Sequence, residues 1–321
     1  MASSTRLLKS FLKLLLPVLL LIGGAIAAGA VWLVYTTARP VHAKYLVTPD
    51  KYGQLSARAS QVTDESWPNP DGTMSRGWLL RGSENAPAVI LLHRFGADRS
   101  YVLDLGVKLN ESTNFTVLMP DLRGHGDTPL VANSSFGGCE SEDLKGALDF
   151  VRNLKTANQT SQVSGNIGIY GLEMGGIAAL RAAAKDVSVK AIAVDSIAAD
   201  SDGLLNTAVD RRFKAASFAT AKLAALGTHL YYFDGCYQRE PMCDVVKRIS
   251  DRSVLMLAGM DGPELQDATT KVAKCFPASD RIEAKYDLSP SGLNIINASV
   301  EQSASYDQRL IDFFRNSLGP N

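Results

Sequence analysis

Short apolar runs alternate with helical stretches through most of the chain, and this alternation predicts the fold class. Residues 89–92 and 189–195 are runs of mostly apolar residues, as expected for strands buried on both faces of a parallel sheet. Between such runs, residues 141–156 place apolar side chains on one helical face. The pattern predicts an α/β fold: a mostly parallel sheet covered by helices on both faces.

The same pattern predicts individual elements. Two strands within residues 61–80 are joined by an Asn-Pro-Asp-Gly turn at 69–72. Further strands are expected at residues 89–92, 116–121, 167–171, 189–195, 253–259 and 281–287, and a closing helix at 306–318.

The N-terminal stretch differs from the rest of the chain. Residues 14–38 contain no charged side chain, which exceeds the ~20 apolar residues needed to cross a bilayer as a helix. Basic residues precede and follow the stretch, and their arrangement favours a cytoplasmic N-terminus and an exported body. A single-pass membrane protein is therefore predicted, with the folded domain on the periplasmic or extracellular side.

A cleaved signal peptide is the alternative, because Ala25 and Ala30 bound a run of small residues typical of cleavage sites. The apolar run continues past them, however. Trp32 and Tyr35 suit the aromatic belt at a membrane surface, which favours an uncleaved anchor.

Composition narrows the function classes. Lysine plus arginine equal aspartate plus glutamate, 33 each, so no nucleic-acid partner is predicted. Four cysteines fit disulfides in an oxidising compartment, although buried thiols are the alternative. Three pairings are open, and Cys236 with Cys243 is a candidate local bridge. No cysteine pair has zinc-site spacing, and neither a metal nor a cofactor is predicted.

The most specific motif is residues 167–176, Ile-Gly-Ile-Tyr-Gly-Leu-Glu-Met-Gly-Gly. It resembles the strand-turn-helix nucleophile elbow of α/β-hydrolases, written Gly-x-Ser-x-Gly in that family. Side chains at Gly171 or Gly175 would collide with the neighbouring strand or helix at so sharp a turn. The frame is intact, but Glu173 stands where the family carries its reacting serine.

Two loops strengthen the resemblance. His93-Arg94-Phe95-Gly96 is similar to the His-Gly-x-Gly loop that supplies oxyanion-hole N–H groups in the family. The implied oxyanion-hole region is Arg94, Phe95 and Met174. Residues 121–127 are similar to the family's Asp-x-Arg-Gly-His-Gly loop, where the resemblance implies a structural role for His125.

The resemblance covers roughly residues 60–318 and points to the esterase and serine-aminopeptidase branch. Together with the apolar N-terminal stretch, it predicts a domain organisation: a cytoplasmic tail and transmembrane anchor at 1–39, a linker at 40–60, and an α/β-hydrolase domain at 61–321. The mostly helical insertion at about 197–250 is expected to form a lid over the site.

The family's catalytic triad is Ser, Asp and His in chain order. Asp261 stands where the acid belongs, with helix capping as the alternative reading. The loop at 288–294, where the histidine is expected, contains none. The chain's histidines are His42, His93, His125 and His229. Only His229, within the expected lid, is a spare candidate.

Glu173 could itself act as a nucleophile, because epoxide hydrolases and haloalkane dehalogenases use an aspartate at the elbow. Those relatives still need a histidine to activate the water that cleaves the ester. An alternative hypothesis is that Arg94 forms an ion pair with Glu173 and plugs the former site. The other reading of Arg94 is a side chain that points to solvent.

These observations predict a membrane-anchored protein that has lost ordinary serine-hydrolase chemistry and binds a small molecule or a protein through the old cleft. The rival is an active hydrolase on esters or peptides that uses Glu173, Asp261 and His229. A structural partner in a membrane complex is a third possibility.

Overall fold

Strands and helices alternate along the chain in the computed structural model, which describes residues 2–40, 44–54, 56–213, 218–277 and 281–319. The strands are β1 (Thr63–Pro68), β2 (Met74–Leu80), β3 (Ala86–Leu92), β4 (Thr116–Pro120), β5 (Val163–Leu172), β6 (Val189–Asp195), β7 (Ser253–Gly259) and β8 (Ile282–Leu288). The helices are α1 (Ala2–Thr37), α2 (Pro49–Tyr52), α3 (Leu103–Thr113), α4 (Cys139–Arg152), α5 (Met174–Ala183), α6 (Ser201–Phe213), α7 (Phe218–Tyr231), α8 (Met242–Val246), α9 (Pro263–Ala273) and α10 (Val300–Leu318).

The strands form one sheet in the order β1-β2-β4-β3-β5-β6-β7-β8. The first two pairings, β1 with β2 and β2 with β4, are antiparallel, and the other pairings are parallel. This confirms the predicted mostly parallel sheet. Residues 89–92 of β3 are completely buried, as a strand covered on both faces requires.

Helix boundaries differ from the sequence pattern where capping decides them. The predicted closing helix begins at Val300 because Ser299 and Gln302 form a capping box. The predicted helix at 141–156 ends at Arg152. Helix α3, which the pattern did not predict, ends at Asn114 in the left-handed conformation.

Helix α1 is both a candidate membrane span and part of the domain's packing. Its segment Leu15–Thr37 is long and apolar enough to cross a membrane. Its last turns pack against α6 and α7: Val34 is buried, and the Trp32 and Phe213 ring centroids are 5.5 Å apart. A Cβ added at Gly227 of α7 would lie 3.0 Å from the Val34 side chain, so the two helices are in close contact.

The segment predicted as a linker is attached to the domain where it is described. The Tyr45 hydroxyl donates to Asp121 at 2.9 Å, and the Tyr52 hydroxyl donates to Asp104. These contacts fix the path of the chain from α1 to β1. His42 lies outside the described residues.

Two disulfides attach the insertion to the domain. Cys139 bonds Cys236, and Cys243 bonds Cys275. The predicted local bridge between Cys236 and Cys243 is therefore wrong, because each of the two bonds a cysteine outside the insertion. The first bridge joins the start of α4 to the segment after α7, and the second joins α8 to the chain just after α9.

Removing either disulfide should destabilise the protein, and the longer closed loop should matter more. In the chain-entropy account, the bridge spanning 97 positions contributes more than the bridge spanning 32, by about 1 kcal/mol. We expect Cys139→Ser/Cys236→Ser to lower the free energy of unfolding more than Cys243→Ser/Cys275→Ser. Denaturant unfolding of the full chain in detergent tests this, and a reversed order would contradict it.

Candidate active site

The turn between β5 and α5 has the geometry of a nucleophile elbow. Glu173 has φ +51° and ψ −105°, a conformation that costs of order 1–3 kcal/mol and persists only where packing enforces it. A Cβ added at Gly171 would lie 2.3 Å from the Gly175 carbonyl oxygen, and one added at Gly175 would lie 2.7 Å from the His93 carbonyl oxygen. The predicted need for both glycines is confirmed.

The Glu173 carboxylate is completely buried and held from two sides. The Phe95 N–H donates to Oε2 at 3.0 Å. The Arg211 guanidinium lies 2.7 Å from Oε1, but its N–H groups are not aligned for a hydrogen bond with that oxygen. The second contact is therefore an ion pair, made by a side chain of α6 that is 41% exposed.

The predicted ion pair between Arg94 and Glu173 is wrong. The Arg94 guanidinium donates to the Phe95 carbonyl oxygen at 3.2 Å and lies 5.2 Å from the centre of the Tyr101 ring. Arg211, in the last turn of α6, takes its place. In the described part of the chain, the Met174 N–H makes no hydrogen bond to the Glu173 carboxylate.

The next N–H group of the oxyanion loop is also occupied. The Gly96 N–H donates to His125 Nε2 at 3.0 Å, and His125 Nδ1 lies 2.9 Å from the Arg123 carbonyl oxygen. Because Nε2 accepts, the proton is assigned to Nδ1. His125 thus joins two loops, which fits the structural role that the resemblance implied.

His93 has a similar arrangement in the core. Its Nε2 accepts from the Leu122 N–H at 3.0 Å, so the proton is assigned to Nδ1, which lies 2.8 Å from the Arg94 carbonyl oxygen. Burial lowers the pKa of His93 to about 4, because the charged imidazolium would lose its hydration. His93 therefore fixes the oxyanion loop as a neutral ring.

Asp261 holds the loop in which the family carries its histidine. It accepts from the Ser291 hydroxyl at 3.1 Å and from the Asn294 side-chain amide at 2.8 Å. His229 is exposed on α7, and within the described residues it hydrogen-bonds neither Glu173 nor Asp261. Asp261 is thus paired with an amide instead of an imidazole.

A second buried carboxylate, Asp195, lies at the end of β6 and was not predicted as a site residue. It accepts from the Gly292 N–H at 2.7 Å, the Tyr306 hydroxyl at 2.6 Å and the Ser196 hydroxyl at 2.7 Å. Burial raises the pKa of Asp195, and these three hydrogen bonds oppose that rise. Asp195 fixes the same loop that Asp261 contacts.

A cleft of about 500 Å³ lies at this edge of the sheet, and its described lining includes Arg94, Arg211, Asp261 and Asn294. Glu173 is not part of that lining, because Arg211 covers its carboxylate. The described residues contain no cluster of three or more His, Cys, Asp or Glu that could hold a metal ion. The cleft is therefore lined by cations on one side and by Asp261 and its amide partner on another.

Arg211 and Asn294 are the residues that sequence reasoning missed. Arg211 begins the pair Arg211-Arg212 at the end of the first insertion helix, and such a pair in the expected lid could have indicated a partner for a buried glutamate. Asn294 stands in the loop expected to carry the histidine, but nothing in the sequence distinguishes it from a solvent-facing amide.

Comparison with known proteins agrees with this geometry. The sequence profile described as the alpha/beta hydrolase family matches residues 72–281. The thiohydrolase aneE of Aspergillus aculeatus is 27% identical over 123 residues, which are 38% of this chain and 37% of that protein. The match therefore spans little more than a third of that relative.

Solved structures share the fold at low sequence identity. An esterase from Pyrococcus furiosus has a TM-score of 0.63 and 16% identity, over 88% of this chain and 98% of that chain. The alpha/beta hydrolase GrgF from a Penicillium species has a TM-score of 0.59 and 20% identity, over 81% of this chain and 99% of that chain.

A double-mutant cycle should reveal coupling between Glu173 and Arg211. Arg211→Gln leaves a buried carboxylate with the Phe95 N–H alone, whereas Glu173→Gln removes the charge that needs a partner. We expect a coupling energy of about 1–2 kcal/mol in the free energy of unfolding, because one partner is buried and the other half-exposed.

The exposed pair Arg248–Glu240 is the matched control, where about 0.2–1 kcal/mol is expected. A Glu173–Arg211 coupling no larger than the control's would contradict the buried ion pair.

His93 should make the protein less stable in acid. Its folded pKa of about 4 lies below the unfolded value of ~6.5, so the unfolded state binds more protons between those values. The resulting destabilisation is absent at pH 7, and it lowers the free energy of unfolding by about 3 kcal/mol at pH 4.

A His93→Gln variant lacks this loss. The difference in the free energy of unfolding between the parent and the variant should therefore decrease as the pH falls from 7 to 4, as measured by denaturant unfolding. A gap that stays constant over this range would contradict the buried neutral histidine.

Proposed function

Because the chain belongs to the alpha/beta hydrolase family, we propose that it is a membrane-anchored member that lacks ordinary serine-hydrolase activity. It acts by binding a small molecule or a protein in the cleft beside Arg94 and Arg211. Helix α1 holds it in the membrane, and the folded domain lies on the exported side, where an oxidising environment maintains its two disulfides.

The observation that carries this proposal is the state of Glu173. Acyl transfer in this fold needs a nucleophile that can reach substrate and N–H groups that can receive the developing oxyanion. Glu173 is buried beneath Arg211, and its own carboxylate accepts the Phe95 N–H. The Gly96 N–H is engaged by His125. The N–H groups that should stabilise a transition state are therefore already hydrogen-bonded within the protein.

In the described part of the chain, the proton-transfer step lacks a positioned base as well. Asp261 is bonded to the side-chain amide of Asn294, and an amide does not take up a proton at neutral pH as an imidazole does. Among the described residues, no imidazole contacts Asp261 or Glu173 to activate the water that would cleave a covalent ester on Glu173. These contacts support binding without turnover.

The full chain in detergent should show no turnover of p-nitrophenyl esters, thioesters or aminoacyl substrates above that of a Glu173→Ala variant. Turnover that disappears in Glu173→Ala would overturn the proposal and assign catalysis to Glu173. Loss of that turnover in His229→Ala as well would identify the rival catalytic set of Glu173, Asp261 and His229.

Restoring the family's triad provides a positive control. Glu173→Ser supplies a hydroxyl at the elbow, and Asn294→His places an imidazole on the loop that contacts Asp261. We expect the double variant to hydrolyse esters faster than either single variant, by on the order of 100-fold for a positioned base. Equal rates in all three would show that the missing side chains are not what blocks the chemistry.

A further inference from the structure

A second cavity shares Arg94 and Arg211 with the cleft and lies at the C-terminal end of α1. Its volume is about 270 Å³, and its described lining includes Thr36, Arg39, Arg94, Arg211 and Arg212. None of the described lining residues is acidic. Four arginines therefore surround one small space.

Most of this positive charge is not compensated. Arg211 is paired with Glu173, but Arg39 donates to the neutral side chain of Asn133 at 2.9 Å. Arg212 forms no ion pair with any described carboxylate. Arg94 has a buried Nε without a hydrogen-bond partner among the described residues.

The position of the cavity along α1 indicates its surroundings. Arg39 follows the apolar span Leu15–Thr37 by two positions. Trp32 and Tyr35 are exposed near the end of the span, as aromatic residues at a membrane surface are. If α1 crosses the bilayer, the arginines lie at the depth of the lipid headgroups on that side.

An apolar cavity of about 350 Å³ lies along the same end of α1, between α1 and α7. Its lining includes Ala30, Val34, Gly227 and Leu230. Leu230 is 66% exposed, and Phe233, two positions after α7, is 92% exposed, so the end of α7 presents apolar surface. Such a crevice suits an acyl chain. Arg39 connects the two spaces, because it lines the arginine-lined cavity and donates to Asn133, which lines the crevice. The arginine-lined cavity therefore suits the anionic group of the same molecule.

We propose that the arginine-lined cavity binds the phosphate group of an anionic lipid, with an acyl chain along the crevice between α1 and α7. Guanidinium groups match phosphate oxygens in bidentate geometry and form strong charge-assisted hydrogen bonds. The inference rests on the proposed function, because it names the ligand class of a site that acts by binding.

Titration calorimetry on the full chain in neutral maltoside micelles tests the proposal. The probes are dioctanoyl phosphatidic acid, dioctanoyl phosphatidylcholine and glycerol 3-phosphate. We expect phosphatidic acid to bind, and Arg39→Gln or Arg212→Gln to weaken its binding roughly tenfold or more. Arg309→Gln on α10, which makes the same charge change outside the cavity, should have less than about a twofold effect.

Glu173→Gln should change the affinity for phosphatidic acid in the opposite direction. It releases Arg211 from its carboxylate partner, so phosphatidic acid should bind several-fold more tightly, a change that mere loss of folding cannot produce. If glycerol 3-phosphate binds with lower affinity than phosphatidic acid, the ligand is a lipid. Equal binding supports the phosphate site with a soluble phosphate ester as its source.

The proposal would be overturned if phosphatidylcholine bound as tightly as phosphatidic acid. It would also be overturned if Arg39→Gln and Arg212→Gln lowered the affinity for phosphatidic acid no more than Arg309→Gln, or if Glu173→Gln left that affinity unchanged. Failure here is distinguishable from failure of the proposed function. Substrate turnover bears only on whether the protein is an enzyme, whereas these titrations bear only on the ligand class.

Discussion

The buried carboxylate of Glu173 is the constraint on which the site depends. A charged group without water needs compensating partners, and here the Phe95 N–H and the Arg211 guanidinium provide them. Each partner has a consequence. The Phe95 N–H is engaged by the carboxylate, and Arg211 connects the end of α6 to the elbow. Glu173 thus places a salt bridge at the turn where the family carries its serine.

The rest of the chain reinforces that arrangement. The two disulfides attach the insertion to α4 and to the end of α9, which restrains the region that carries Arg211. Helix α1 packs against α6 and α7, so the candidate membrane span is continuous with the elements over the elbow. The cationic cavity lies where the end of α1, the oxyanion loop and α6 meet, so it adjoins both Arg211, the partner of Glu173, and the end of the candidate membrane span.

Much of the fold was predictable because it depends on local pattern. Buried apolar runs such as residues 89–92 mark strands, and glycines at Gly171 and Gly175 mark the elbow. The departure from the family's elbow motif was also visible, as a glutamate where the family carries serine. The partner was not, because Arg94 and Arg211 are equally plausible cations in sequence and only packing of the insertion decides between them. Disulfide pairing failed for the same reason, since spacing cannot report which core helix each cysteine faces.

The most direct test of the account is whether Glu173 ever forms a covalent ester. The full chain is incubated with epoxide, haloalkane, ester and thioester substrates in ¹⁸O-labelled water, and the peptide containing Glu173 is examined by mass spectrometry. A carboxylate nucleophile takes up ¹⁸O each time its ester is hydrolysed, and it carries an adduct when hydrolysis is blocked. The ion-paired elbow predicts neither label nor adduct at Glu173. Label or adduct on that residue would contradict it.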